Sequence, residues 1–239
     1  MAFDISWVSQ AGRKTETCRD FGAVGLRNGE ALCIVLDGST TGEGSGELAS
    51  QIAHELIDWF VDSAETATAD AINNRLKRLH ETVSSKLPFA SVSYMILHID
   101  SATDAIVLHA GDCLLGRCEV NDGITWLNQP HTLANATDTM SIASIAKIPA
   151  RHRLTRTFRS KEFLPPDVLT LKIDSEHVMA TDGFWAELSS GEQTRFIQRE
   201  QVAMSADGDD RSVLRVRVLD GAVPKIPEPS DNFYVKANS

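Results

Sequence analysis

The chain has no long apolar run. Nothing in its 239 residues approaches the roughly 20 consecutive apolar residues that span a bilayer, so no membrane-crossing helix is expected. The start, MAFDISWVSQ, lacks the basic stretch and apolar segment of a secretory signal, which points to a cytoplasmic protein. Cysteine is scarce. Cys18, Cys33, Cys113 and Cys118 form no C-x-x-C pair, which argues against a disulfide scaffold and a structural zinc site. They read as reduced, mostly buried thiols. Positive charge is also short: 23 Lys and Arg stand against 33 Asp and Glu, a formal net charge of −10. No segment forms a basic arm, so a nucleic-acid partner is not expected. Internal repeats and low-complexity tracts are absent.

What remains is an ordinary apolar content, 42% hydrophobic, enough for a sizeable core in one domain over residues 1–239. Residues 3–9, 21–27 and 30–37 read as strands. A glycine-rich loop, STTGEGSG, follows. Leu48, Ile52, Leu56, Trp59 and Phe60 then recur at helical spacing, as do Ile72, Leu76, Leu79, Val83 and Leu87. Strands are expected at 89–100, 104–110, 113–119 and 124–127, with turns at Ser101–Asp104 and Asn121-Asp122-Gly123. Further strands fall at 168–173, 177–181 and 212–219, with a short helix at 151–158 and another helix near 191–203. The last strand contains FYV. Helices are grouped rather than alternating with strands, which predicts an α+β fold with antiparallel sheet. Two sheets face to face with helices outside would satisfy the order.

Aspartate recurs where apolar runs stop. LCIVLDG ends at Asp37-Gly38, IVLHAGD at Gly111-Asp112, and HVMATDG at Asp182-Gly183. Asp231-Asn232 precedes the final run, and Asp20 opens a strand in ETCRDFGAV. Each pair alone is an ordinary turn signal. Carboxylates gathered from distant parts of a chain repel one another unless positive charge lies between them. Hard divalent cations such as magnesium, manganese or calcium suit carboxylate and water oxygens. Other motifs carry less. Gly42, Gly44 and Gly46 form G-x-G-x-G without the Lys-Ser/Thr of a phosphate loop. His54-Glu55 lacks a second histidine, because Asp58 stands there. Ser39 has no histidine placed to activate it as a nucleophile.

Taken in order, RDFGAV, VLDG with GELAS, HAGDCLLGR, LTRTF, MATDGFW and DNFYV resemble the metal-dependent serine/threonine protein phosphatases of the type 2C family, in a minimal bacterial-like form. The resemblance spans residues 12–235. It implies a four-layer α-β-β-α sandwich, with two central antiparallel sheets and a site for two Mn²⁺ or Mg²⁺ ions at one edge. It implies that Asp37 bridges both ions, that Gly38 offers its carbonyl, that Asp182 and Asp231 complete one shell, and that Asp20 serves the other. Asp112 matches a position that helps hold a third ion. The implied reaction is hydrolysis of phosphoserine or phosphothreonine by a metal-activated hydroxide, in a signalling protein whose partners are phosphoproteins and a cognate kinase.

The departures from the family pattern are specific. Arg19 replaces an acidic residue before Asp20. Thr15 stands where a phosphate-binding arginine is common, leaving Arg13 or Lys14 to serve, with Arg13 taken as the catalytic cation. Ser39 replaces a histidine found in animal members. Ala186, with Glu187 beside it, replaces an aspartate for a third metal, and the flap segment between Pro130 and Arg151 is short. A non-catalytic binding module and a hydrolase of small phosphate esters are the competing readings.

Overall fold

The computed structural model describes residues 2–119, 123–219 and 223–238; Asn121 and Asp122 of the expected turn lie outside them. Twelve strands and five α-helices are present among the described residues. The first sheet contains β1 (Ala2–Gln10), β11 (Arg211–Leu219), β10 (His177–Ala180), β6 (Leu114–Cys118) and β7 (Ile124–Trp126), in that order. The second runs β12 (Phe233–Ala237), β2 (Asp20–Arg27), β3 (Glu30–Gly38), β4 (Ser91–Ile99), β5 (Asp104–Ala110), β9 (Asp167–Lys172), with β8 (Phe158–Arg159) added to β4. All pairings are antiparallel except β12 on β2, which is parallel, so the second sheet is mixed rather than wholly antiparallel as expected.

The apolar periodicity explains the layers. Successive strand residues face opposite sides of a sheet, and in β3 both sides are covered. Leu32, Ile34 and Leu36 face the helices α1 (Ser45–Asp62) and α2 (Ala69–Val83). Ala31, Cys33 and Val35 face the other sheet and meet Trp7, Met179 and Leu214. The outer face of the first sheet packs on α3 (Ile142–Ile145), α4 (Asp182–Trp185) and α5 (Ser190–Ile197) through Ile145, Phe184 and Phe196. The result is the four-layer α-β-β-α sandwich. Leu48, Ile52, Leu56, Trp59 and Phe60 are all buried, each contributing about 1.5–3 kcal/mol by removal from water.

Several local expectations shift. Helix α2 is capped by Thr68, whose side chain accepts from Ala71 N, and ends at Val83, leaving Leu87 beyond it. Helix α5 starts on a Ser189–Glu192 capping box and stops at Ile197, short of residue 203. The helix expected at 151–158 does not form. A 3₁₀ turn at Pro149–His152 leads instead into β8, because Phe158 pairs with Val92 and is buried against the α1–α2 side. The four cysteines are free; Cys33 and Cys113 are buried, and Cys18 and Cys118 are half-buried.

Candidate metal centre

Strand register brings the carboxylates together. Asp20 and Asp37 are partners in one rung of the β2–β3 ladder. The end of β5 delivers Asp112, the end of β10 delivers Asp182, and the residues before β11 deliver Asp209 and Asp210. Asp37, Asp112, Asp182 and Asp209 line one pocket of about 400 Å³. Asp20, the ladder partner of Asp37, is 1% exposed. Thr181 ties the two sheets here: its hydroxyl donates to Asp20 Oδ2 at 2.9 Å and accepts from Ser212 N at 3.0 Å.

Two glycines permit this convergence. A Cβ on Gly183 would lie 2.1 Å from Asp210 O, so only glycine lets the Asp182 turn pack on the Asp209-Asp210 segment. A Cβ on Gly38 would lie 2.8 Å from Arg19 O and 3.0 Å from Ser45, at the entry to α1.

The electrostatics are those of an acid cluster short of positive charge. Burial, reinforced by Asp210, pushes Asp20 well above the usual carboxylate range. Burial also raises Asp37, with further contributions from Asp20, Asp182 and Asp112. Asp112 is pushed up to about 7 by burial and by Asp182, against the hydrogen bond at 2.7 Å from Ser93 Oγ. Asp182 is raised by burial despite Arg151. Asp20 Oδ1 is buried with no hydrogen-bond partner, an arrangement that costs free energy unless something positive meets it. Clustered carboxylate oxygens with an orphaned lone pair fit hard divalent cations and do not fit soft ones.

Side-chain cations border the cluster. Arg151 Nη1 donates to Asp182 Oδ2 at 2.5 Å, and its Nη2 lies 3.9 Å from Glu187. Lys14 Nζ donates to Asp209 Oδ2 at 2.7 Å. Arg19 forms no ion pair with Asp20 among the described residues. Its Nη1 donates instead to the carbonyls of Ser39 (2.7 Å), Thr40 (2.9 Å) and Gly42 (3.1 Å), holding the glycine-rich loop in place.

A different trio, His109, His131 and Asp167, brings ligand atoms within 4.8 Å of one another, but in a separate pocket. Its hydrogen bonds are already closed. His131 Nδ1 accepts from Gly111 N at 3.1 Å, its Nε2 faces Asp167 Oδ2 at 3.0 Å, and Arg156 pairs with Asp167. Asn128 Nδ2 meets His109 Nδ1 at 3.3 Å while Asn128 Oδ1 accepts from Leu115 N.

Of the residues expected at the site, Asp20, Asp37, Gly38, Asp112 and Asp182 are brought together. Asp231 and Arg13 do not line the pocket that holds Asp37. Strand β12 is the edge strand beside β2, with Phe233 opposite Gly22, which leaves Asp231 exposed on a neighbouring pocket that it shares with Asp20, Cys18 and Glu47. Asp209 lines the Asp37 pocket, because β11 lies between β1 and β10 and begins beside the end of β10. Arg13 is exposed. The backbone of this segment is pinned by Gly12 N to Asp210 Oδ1 (2.6 Å) and Arg13 N to Gly208 O (2.9 Å), and Lys14 is the residue that lines the pocket. Asp209 and Asp210 precede a strand rather than end one, so a search at strand ends passes over them. Arg151 carries no local signal.

No family model matches the chain, and no curated protein matches it in sequence. Solved structures do match in fold. The serine/threonine phosphatase Stp1 from Staphylococcus aureus superposes with a TM-score of 0.75 at 12% identity, covering 92% of this chain and 96% of that one. The S. agalactiae serine/threonine phosphatase gives 0.68 at 19% identity, covering 91% and 100%. The catalytic domain of the serine/threonine protein phosphatase PstP, in complex with two manganese ions, gives 0.68 at 15% identity, covering 91% and 99%. The chain has the fold of these bacterial phosphatases over nearly its whole described length.

Proposed function

We propose that this chain is a metal-dependent protein phosphatase that hydrolyses phosphoserine or phosphothreonine, with residues 1–239 acting as one domain. The observation that supports it most is the convergence of Asp20, Asp37, Asp112, Asp182 and Asp209 on one edge of a phosphatase fold, with Asp20 Oδ1 left without a partner. In this reading those five carboxylates and the Gly38 carbonyl hold two Mn²⁺ or Mg²⁺ ions, as PstP holds manganese. Bound there, such ions lower the pKa of a water and neutralise phosphoryl charge.

The chain's own residues set the rest. Ser93 orients Asp112, and Thr181 orients Asp20. Arg19 fixes the loop carrying Ser39, Thr40 and Thr41, which forms a wall of the pocket. Among the described residues the Ser39 hydroxyl meets Thr41 Oγ1, at 3.4 Å, and no base, so Ser39 is not an activated nucleophile and in this reading water attacks phosphorus directly. With serine rather than histidine after Asp37-Gly38, water also protonates the departing serine or threonine oxygen. The substrate is a phosphoprotein, a cognate kinase is its natural counterpart, and the setting is cytoplasmic. No described helix is long and apolar enough to cross a membrane.

A second reading is favoured by one observation: Lys14 and Arg151 already sit on Asp209 and Asp182, as they would in a phosphatase-like module that binds without hydrolysis. Calorimetry with Mn²⁺ separates the two. Binding of two ions at micromolar to millimolar concentration supports the phosphatase, and no binding at millimolar metal supports the module.

A further inference from the structure

Lys14 and Arg159 line the pocket and Arg151 lies behind it, and the three are not equivalent. Lys14 is engaged by Asp209 at 2.7 Å. Arg151, behind the wall, is engaged by Asp182 at 2.5 Å. Arg159 lines the same pocket as Asp37 and Asp182, yet among the described residues no carboxylate lies within ion-pair distance of it. Its guanidinium is instead fixed by neutral acceptors: Nε donates to Thr157 Oγ1 at 2.9 Å and Nη2 to Leu154 O at 2.7 Å.

The backbone beneath is equally fixed. Arg159 pairs with Ser91 across β8 and β4, and its carbonyl faces His80 Nε2 at 3.0 Å. Two residues along β4, Ser93 stands opposite Asp37 in the β3–β4 register and donates to Asp112. Ser91 Oγ also meets Thr157 Oγ1 at 2.9 Å. Arg159 is thus registered on the same strand that registers the carboxylates. A pre-oriented guanidinium with no ion-pair partner among the described residues, on the pocket that holds Asp37, Asp112, Asp182 and Asp209, suits a planar fork that receives phosphoryl oxygens.

Resting on the phosphatase reading, we propose that Arg159 is the substrate anchor of this pocket: it receives the phosphoryl oxygens of the bound phosphoester, a task for which Arg13, outside the pocket lining, is not placed. Because the guanidinium is held by Thr157 and Leu154 before substrate arrives, little of its side-chain freedom is lost on binding.

The test is kinetic and calorimetric, on the manganese-loaded full chain, with Arg159→Ala, Arg159→Gln and Arg159→Lys. Expected for Arg159→Ala and Arg159→Gln is a rise of about tenfold in KM for both p-nitrophenyl phosphate and a phosphothreonine peptide, with the same weakening of competitive inhibition by inorganic phosphate. Arg159→Lys recovers part of it, and manganese affinity is unchanged in all three. Unchanged KM and phosphate inhibition would overturn the assignment. So would a loss confined to the peptide, which would place Arg159 on an acidic residue of the substrate instead. If the wild-type protein turned over neither substrate, the phosphatase reading would fail. Arg159 would then be judged by inorganic phosphate calorimetry alone, where equal binding by wild type and Arg159→Gln would overturn it.

Discussion

Arg151 and Asp182 are joined by a 2.5 Å hydrogen bond between groups that are each at least nine-tenths buried. The bond ties the 3₁₀ turn Pro149–His152 to the end of β10, so the segment over the pocket is locked to the carboxylates below it. Removing one partner of a buried ion pair leaves the other charge without compensation, typically costing about 3–5 kcal/mol. Arg151→Ala should therefore lower the Tm of the metal-free protein by roughly 6–12 °C, and Mn²⁺ should close most of that gap. Thermal melts with EDTA and with manganese check this. A Tm within about 2 °C of wild type in EDTA would mean that the bond holds nothing in place.

The carboxylate cluster sets a pH dependence for the metal-free protein. Asp20, Asp37 and Asp112 have folded pKa values raised above their unfolded ones, Asp112 to about 7. A raised carboxylate pKa means that the folded state holds protons the unfolded state releases. Stability from these groups is fully present below about pH 4 and is lost as pH rises through 7. In EDTA the protein should melt higher at pH 5.5 than at pH 8. Asp112→Asn should stabilise it at pH 8 by about 2–4 kcal/mol while weakening manganese binding. Melting curves across pH 5–8 are the check, and a Tm rising steadily with pH would contradict the burial argument.

Asp209 and Asp231 make opposite predictions. Asp209 lines the pocket and accepts from Lys14, whereas Asp231 is exposed at the edge of the second sheet. Asp209→Asn should lower kcat/KM at least a hundredfold and weaken manganese binding. Asp231→Asn should leave both within about twofold. Kinetics and calorimetry on the two variants distinguish them, and the reverse result would restore the assignment drawn from the sequence.

This pair also shows where sequence reasoning works and where it stops. Leu32, Ile34 and Leu36 against Ala31, Cys33 and Val35 are legible as a strand buried on both faces, because periodicity is a local property. Asp20, Asp37, Asp112 and Asp182 are legible because each sits beside the apolar run that places it. Choosing Asp209 over Asp231 depends on which strand is central and which lies at an edge, a property of pairing between distant segments. The Arg151–Asp182 bond spans 31 residues and the Lys14–Asp209 bond 195. The flap segment lacks periodicity, so its 3₁₀ turns and β8 are fixed only by what they pack against.

Arg19 organises the loop in front of α1 through three carbonyls. Charged donors to neutral acceptors contribute more than neutral pairs, so Arg19→Ala should loosen residues 39–44 and speed proteolytic cleavage there at least fivefold. Arg19→Lys, a single ammonium without the planar fork, should recover only part of the protection. Cleavage mapping by mass spectrometry reads this out, and an unchanged cleavage rate would show that the loop is held by other contacts.

The central claim concerns the chemistry of the Asp37 site. Phosphate release from a phosphothreonine peptide, measured with purified protein and millimolar Mn²⁺, tests it most directly. The account predicts turnover by the wild type, loss of turnover with EDTA, and loss of at least a thousandfold in Asp37→Ala with the fold intact. Metal-replete wild-type protein that releases no phosphate, or an Asp37→Ala variant as active as wild type, would contradict it.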